Sequence, residues 1–210
     1  MTAAGLFRLG GLAFVLAAAL FGVAEVIAFS IFVGQGEDYD LTELAQTNAF
    51  FIQSLLTLFA GPLLLGGMVG LYLRQSEAAG RLGLVGFVLA FFGTSLVVGD
   101  FYTNTFVTPL VAREAPAFLD NPLSGMLQVW LPFSFVFLAT SWILLVVATL
   151  RARVYPRGTS GWLLVGVLFA LIPFPLAHLP FYVAVAWVGL HLLRVREGAS
   201  GGRRRSKSRR

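Results

Sequence analysis

Long apolar runs, separated by short segments that hold the charges, constrain the fold of this chain more than any other feature. A run of 18 or more apolar residues is the length that an α-helix needs to cross a hydrocarbon layer of roughly 30 Å. Of the residues, 58% are hydrophobic and only 12% are charged. A soluble domain of this size could not hide so much apolar surface. The sequence therefore predicts an all-α integral membrane protein.

The predicted transmembrane domain covers residues 1–196 and is a bundle of six helices. The last apolar stretch contains Pro173, Pro175 and Pro180. Because proline removes a backbone donor and clashes with the preceding turn, we expect a tight hairpin of two short helices there. The remaining residues, 197–210, form a predicted disordered basic tail. The six predicted spans are 8–33, 49–73, 81–107, 126–150, 160–175 and 178–195.

Basic residues fall almost entirely on one side of these predicted spans. Segment 34–48 holds four acidic residues and no base, whereas 74–81 and 151–159 hold arginines. Of the 15 Lys and Arg residues, all but Arg113 lie on the side of the two termini. The positive-inside rule then predicts cytoplasmic termini, and hence an even number of spans, in a bacterial inner membrane. The first run is too long for a signal peptide, so we expect it to be retained.

Several kinds of chemistry are excluded by composition or unsupported by any motif. The absence of cysteine excludes disulfides, thiolate metal sites and cysteine nucleophiles. The one lysine, Lys207, lies in the tail, so it cannot form an intramembrane Schiff base. His178 and His191 lie at opposite ends of one predicted helix and cannot ligate the same haem iron. No hydrolase, phosphate-loop or dinucleotide motif occurs, so we expect no cofactor and no metal, and an enzyme is the less favoured reading.

An internal repeat predicts how the helices are organised. The pattern RLG followed by FVLA begins at Arg8 and again at Arg81, with seven identities in ten positions. We interpret it as part of three repeated helical hairpins in the same orientation. The alternative is that apolar helices built from few residue types resemble one another by chance. Gly66 and Gly70 form a small-xxx-small pattern, which favours close packing within the bundle or, alternatively, a homo-oligomer interface.

Polar residues within the spans gather near the predicted outer face. Glu25 and Asp100 are charged, and charges within a span usually face the bundle interior or a water-filled cavity. Two carboxylates near a histidine suit proton or cation coupling, or general acid/base chemistry. The alternative is that these side chains satisfy one another and hold the helices in register. We predict an outward-facing polar cluster of Glu25, Gln53, Asp100, Asn104, Gln128, His178 and Tyr182.

Two segments outside the spans are predicted to meet the membrane surface. Loop 108–125 mixes apolar and polar residues, so we expect an interfacial helix that lies over the cluster. The tail should adhere to the anionic cytoplasmic leaflet, since each basic residue there gains about 1 kcal/mol. Nucleic-acid binding is not favoured, because no aromatic residues interleave with the charges. The basic residues of the tail are Arg203, Arg204, Arg205, Lys207, Arg209 and Arg210.

Three runs carry a resemblance to known sequences: FIQSLL from Phe51, GLYLR ending at Arg74, and RLGLVGF from Arg81, together with Asp100. They resemble multi-pass bacterial membrane proteins of the domain-of-unknown-function kind that is common in high-GC bacteria. The resemblance spans most of residues 5–195. It implies a membrane fold of six or seven helices and assigns no activity and no functional residues.

Three hypotheses for function follow from the polar cluster. A small-solute or ion-coupled carrier requires Glu25 and Asp100 to face each other across a hydrated cavity. A structural, assembly or sensory subunit of a membrane complex requires a dry, fully packed bundle and a partner. A membrane-embedded enzyme that uses Glu25, Asp100 and His178 requires the histidine to lie within hydrogen-bonding reach of a carboxylate beside an open cleft.

Overall fold

The structure of the protein, a computed structural model, describes residues 2–35, 40–119, 126–172, 174 and 176–194, without the side chains of residues 35 and 126–132. These residues are 90% helical and contain no strand, which confirms the all-α prediction for them. The predicted basic tail and the side chain of Gln128 lie outside the described residues. The helices are α1 (Ala3–Gln35), α2 (Leu41–Ala45), α3 (Asn48–Tyr102), α4 (Thr108–Glu114), α5 (Met126–Ala152), α6 (Arg157–Phe169) and α7 (Leu179–Leu193), with a π-helix at Thr103–Val107 and a 3₁₀-helix at Pro116–Phe118.

Three stretches of described helix are long and apolar enough to cross a membrane: Ala3–Gly34, Asn48–Glu114 and Phe133–Ala152. The chain therefore has the features of a membrane protein. The last two helices are shorter, with 13 residues in α6 and 15 in α7. At 1.5 Å per residue they extend only about 20 Å and 22 Å, less than the hydrocarbon thickness of roughly 30 Å. Six spans and the repeated hairpins remain predictions.

A reversal at Gly80 divides α3 into two arms, residues 48–79 and 81–102. Gly80 has φ +55° and ψ −146°, a conformation that glycine adopts without the steric cost of a Cβ atom. The arms then fold back on each other: the rings of Tyr72 and Phe87 stack with centroids 4.5 Å apart. Deeper in the bundle, the Thr94 hydroxyl lies 3.7 Å from the sulfur of Met68. The single long helix is therefore an antiparallel hairpin.

Neighbouring helices run antiparallel throughout the described bundle. In order along the chain, α1, the two arms of α3, α5, α6 and α7 alternate in direction, and α7 packs back against α1. The start of α1, Gly80 and the end of α7 thus share one end of the bundle, called here the terminal end. The end of α1, α4 and the connection before α7 share the other, the distal end. The contacts that fix these directions are Gly10 with Gly70, Tyr72 with Phe87, Gly86 with Leu145, Gly166 with Phe181, Thr159 with His191, Gly11 with Gly189 and Phe21 with Tyr182.

Glycine allows close backbone contact where α1 crosses its neighbours near the terminal end. A Cβ atom on Gly10 would lie 2.8 Å from the Cα of Gly70, and one on Gly11 would lie 2.6 Å from the carbonyl oxygen of Gly189. Both distances are shorter than van der Waals contact, so side chains are excluded at these crossings. Gly70 of the small-xxx-small pattern therefore packs inside the bundle.

An apolar core lies between the two ends. Its fully buried side chains belong to one contiguous cluster, and dispersion contacts across it hold the helices together. The indole N–H of Trp142 donates to the Thr94 hydroxyl at 3.0 Å, so this buried polar pair is satisfied. The largest apolar side chains that are fully buried in the core are Phe14, Met68, Leu71, Leu145, Leu163 and Leu192.

Several predicted boundaries differ from the observed helices. The second predicted span, 49–73, continues in the first arm of α3 to residue 79. The third predicted span, 81–107, continues as a π-helix and then as α4, which has Pro109 in its first turn, where proline is tolerated. Segment 108–125, the site of the predicted interfacial helix, contains α4 and the 3₁₀-helix, and α4 continues directly from the preceding span. Residues 120–125 lie outside the described set. In the last hairpin, α6 ends at Phe169 rather than near residue 175, because Pro173 and Pro175 follow closely.

Candidate functional site

One carboxylate at the distal end accepts two hydrogen bonds from a different part of the chain. Glu25 Oε1 lies 2.9 Å from the backbone N–H of Leu176 and 2.8 Å from Nδ1 of His178. Because a carboxylate oxygen accepts, Nδ1 of His178 must carry a proton. The contact is an ion pair only when the imidazole is doubly protonated.

The antiparallel packing of α1 and α7 brings these groups together. Glu25 lies in the distal part of α1, and His178 is the residue immediately before α7. One turn deeper, the rings of Phe21 and Tyr182 stack with centroids 5.1 Å apart and an angle of 7° between planes. This stacking fixes the position of α1 relative to α7 along the bundle axis, so Glu25 lies beside the connection just before α7.

The backbone at Leu176 is strained where Glu25 binds it. Leu176 has φ +73°, in the left-handed region that costs a residue with a side chain roughly 1–2 kcal/mol. Strain of this kind persists only where surrounding contacts compensate for it. The hydrogen bond from Leu176 N–H to Glu25 is one such contact.

Tyr182 completes the group that we call the distal trio, Glu25, His178 and Tyr182. Its ring stacks on that of Phe21, one turn before Glu25 on α1, and its ring centroid is 6.4 Å from that of His178. The Glu25 side chain is 12% exposed and that of His178 is 31% exposed. The carboxylate is thus enclosed, while the imidazole lies at the rim of the bundle.

Three other predicted cluster residues, Asp100, Asn104 and Gln53, form no hydrogen bond with the distal trio. Asp100 lies on the second arm of α3, and its Oδ2 atom is buried with no hydrogen-bond partner among the described residues. Asn104 is exposed, with its Oδ1 atom 3.4 Å from the Thr108 hydroxyl. Gln53 is half-buried on the first arm. The structure therefore brings together three of the six predicted residues whose side chains it describes.

A groove of about 480 Å³ also opens at the distal end, away from the trio. It lies between the start of α3 and the segment that contains the π-helix and α4. Its lining combines apolar rings with polar groups, among them Asn48, Phe51, Phe106 and Arg113.

A second polar group, at the terminal end, is one that sequence reasoning missed. Gln75 is fully buried, and neither atom of its amide has a hydrogen-bond partner within the described ranges. The hydroxyls of Tyr155 and Ser160 are likewise buried and unpartnered there. We call Gln75, Tyr155 and Ser160 the terminal set. Next to Ser160 on α6, the Thr159 hydroxyl lies 3.1 Å from Nε2 of His191 on α7.

Residues 74–81 contain a sequence signal for the terminal set that competes with a loop signal. Residues 74–81 carry two arginines, which indicated a short cytoplasmic connection. Ala78 and Ala79 are strong helix formers, and a helix that ends at Gly80 would have predicted that Gln75 lies inside it.

Electrostatics at the terminal set favour neutral groups. Burial raises the pKa of the Tyr155 hydroxyl above its ordinary value, while the nearby Arg74 guanidinium acts in the opposite direction. The hydroxyl is therefore uncharged at physiological pH. The Arg74 guanidinium itself lies over the Phe7 ring, 5.8 Å from its centroid.

Neither metal ligation nor a relative assigns a role to these residues. In the part of the chain that the structure describes, no three His, Asp or Glu side chains are grouped so that they could hold a metal ion. No protein-family model, no curated protein and no solved structure matches the chain. The function must therefore be inferred from the two polar groups themselves.

Proposed function

We propose that the chain is a six-span protein of the bacterial inner membrane and that its distal trio binds a proton in a small proton-coupled carrier. In this arrangement the distal end faces outward, and both termini are cytoplasmic. The alternating helix directions support the topology, because they place the start of α1 and the end of α7 at the same end. The arginines at 74, 81, 151 and 157 flank that end as well, as the positive-inside rule requires.

The observation that carries the proposal is the hydrogen bond between Glu25 and His178. With one proton on Nδ1, the pair has a net charge of −1, held by a carboxylate that is largely shielded from solvent. A second proton on Nε2 makes the pair neutral, which lessens the cost of enclosing a charge. Since His178 is the more exposed partner, the proton arrives from the distal side.

Proton binding is coupled to structure through Leu176. A neutral carboxyl group accepts hydrogen bonds more weakly than a carboxylate. When the second proton binds Nε2 of His178 and the Nδ1 proton moves to Oε1 of Glu25, the carboxyl group becomes neutral. The strained backbone at Leu176 then has a weaker hydrogen-bond acceptor, and the connection before α7 relaxes. The chain thus has a bistable segment whose state depends on proton occupancy, as a coupled carrier requires.

A structural or assembly subunit is the second candidate, because α1 contacts its neighbours backbone to backbone at Gly10 and Gly11. Such a subunit should be dry inside, with every buried polar group satisfied. Asp100 and the terminal set depart from that expectation, since their buried atoms have no partner among the described residues. We therefore rank the carrier first.

The topology can be tested with single cysteines, since the native chain has none. We expect Glu43→Cys, on the exposed face of α2, to react in intact cells with a membrane-impermeant maleimide. Glu77→Cys, exposed near Gly80, should react only after the inner membrane is permeabilised. Labelling of both, or of neither, in intact cells would contradict the proposed orientation.

Proton binding can be tested by infrared difference spectroscopy of the purified protein between acidic and neutral pH. We expect carboxyl and imidazole bands to change together, and both changes to disappear in Glu25→Gln. Glu43→Gln and His191→Asn serve as controls, because neither residue contacts the trio. If the Glu25→Gln spectrum matches that of the native protein, the trio does not bind the proton.

Transport can be tested in liposomes loaded with a pH-sensitive dye, with a potassium diffusion potential as the driving force. We expect faster acidification of the lumen than in protein-free liposomes, and loss of that difference in Glu25→Gln. A native protein that conducts no faster than bare liposomes would favour the structural candidate.

A further inference from the structure

The terminal set has no role in the proton site just described, and it is the more deeply buried of the two polar groups. Gln75 is 0% exposed, Ser160 is 2% and Tyr155 is 7%. Together they present an amide donor, an amide acceptor and two hydroxyls that no described residue satisfies.

Buried polar atoms without partners are rare in native proteins, because each has lost water and gained nothing in return. When they occur together, bound water or a ligand usually fills the site, provided that several polar groups are available to hold it. Four unpaired atoms at one end of a bundle fit that situation better than four separate defects.

The placement of the three residues supports a common site. Gln75 follows Arg74 in the last turns before Gly80, and the Arg74 charge acts on the Tyr155 hydroxyl. Ser160 lies in the first turn of α6, next to Thr159, whose hydroxyl reaches His191 near the end of α7. Gln75, Tyr155 and Ser160 thus all lie at the terminal end, near the end of the first arm of α3, just after α5 and at the start of α6.

The chemistry of the set selects the ligand. All three side chains are neutral and offer both donors and acceptors, and the set contains no carboxylate to bind a cation. A small neutral molecule that donates and accepts fits these groups, and water is the smallest such molecule.

We propose that Gln75, Tyr155 and Ser160 line a hydrated site that opens at the terminal end and binds ordered water. The hydration follows from the unpaired atoms alone. Its role as the cytoplasmic mouth of the proton path rests on the proposed function. In the present state the apolar core, with Phe14, Met68 and Leu145, separates this site from the distal trio.

Cysteine accessibility tests the hydration directly, because a thiol reacts with a methanethiosulfonate reagent only as the hydrated thiolate. The matched pair is Gln75→Cys and Leu71→Cys, which lie one turn apart on the same helix and are both 0% exposed in the native protein. With a small hydrophilic reagent, we expect Gln75→Cys and Ser160→Cys to react at least about tenfold faster than Leu71→Cys. Glu77→Cys gives the rate for an exposed position.

Equal and slow reaction of Gln75→Cys and Leu71→Cys would show a dry terminal end and overturn the proposal. The unmodified protein provides a second measurement, in case a cysteine variant does not fold. Under brief hydroxyl-radical exposure, Tyr155 should be oxidised faster than Trp142, which is 3% exposed in the apolar core. Faster oxidation of Trp142 would also overturn the proposal.

The two proposals fail separately. Fast thiol reaction without proton flux would support the hydrated site and contradict the carrier proposal. Proton flux that depends on Glu25, together with slow thiol reaction at the terminal end, would support the carrier proposal and contradict the hydrated site. Adding urea or glycerol as probe solutes distinguishes water from a larger neutral ligand, since only a larger ligand would protect Gln75→Cys from the reagent.

Discussion

The two ends of the bundle differ in whether their buried polar groups have hydrogen-bond partners. At the distal end, Glu25 accepts hydrogen bonds from the Leu176 N–H and from His178. At the terminal end, Gln75 is more deeply buried and has no partner among the described residues. The distal group is therefore part of what holds α7 against α1, whereas the polar atoms of the terminal set form no hydrogen bond between helices in the described part of the chain.

Stability at the terminal end must then come from elsewhere, and the glycine crossings supply it. Gly10 and Gly11 bring α1 into backbone contact with α3 and α7. At the distal half of the same helix, a Cβ atom on Gly22 would meet nothing within 4 Å. One helix is thus held by close packing at one end and by polar contacts at the other. The comparison predicts which substitutions each end tolerates.

The largest effect is expected for Glu25→Ala. The substitution leaves the Leu176 N–H and the His178 ring without their acceptor, and it removes the contact that compensates for strain at Leu176. Losing hydrogen bonds to an enclosed charge should lower the free energy of unfolding by about 3 kcal/mol. Unfolding by sodium dodecyl sulfate in mixed micelles measures it, with Glu43→Ala on the exposed face of α2 as the control. A loss no greater than that of Glu43→Ala would mean that the distal contacts do not hold α7.

Gly10→Ala should come second, because it tests the close packing at the terminal end. The added methyl group would lie 2.8 Å from the Cα of Gly70, so the helices must separate. Overpacking of this kind costs about 2 kcal/mol in the same unfolding measurement. Gly66→Ala is the matched control, since its methyl group would lie at an ordinary 3.7 Å from the Ala13 side chain. Equal losses for both variants would show that the close contact at Gly10 is not special.

The sequence predicted the distal end better than the terminal end, for a physical reason. A charged residue such as Glu25 is conspicuous in an apolar run. Because a charge within a span is energetically costly, its presence implies that a partner is near. The helical class also follows from apolar run length alone. Gln75 stands next to Arg74, so the charge at 74 marked the region as a loop and concealed the helix that continues to residue 79. The strained turn at Leu176 depends on a contact about 150 residues away along the chain, which no local pattern encodes.

A smaller effect is expected for His191→Ala at the terminal end. Its ring contacts the Thr159 hydroxyl at 3.1 Å, which ties α7 to α6 beside the terminal set. Hydrogen bonds between membrane helices contribute about 1 kcal/mol or less, so the loss should be well below that of Glu25→Ala. A double-mutant cycle with Thr159→Val isolates the contact, and the two losses should not add. Full additivity would show that the two side chains do not interact.

Gly22→Ala should have the smallest effect, and the opposite sign. The new methyl group would meet nothing within 4 Å, and alanine is the better helix former, so we expect a gain of up to about 1 kcal/mol. The same substitution at Gly10 should destabilise the protein, although both residues lie on α1. This pair removes helix propensity from the comparison, because propensity changes by the same amount at each position. If both variants were stabilised, close packing would not distinguish the two halves of α1. The difference between the two ends would then rest on the polar contacts alone.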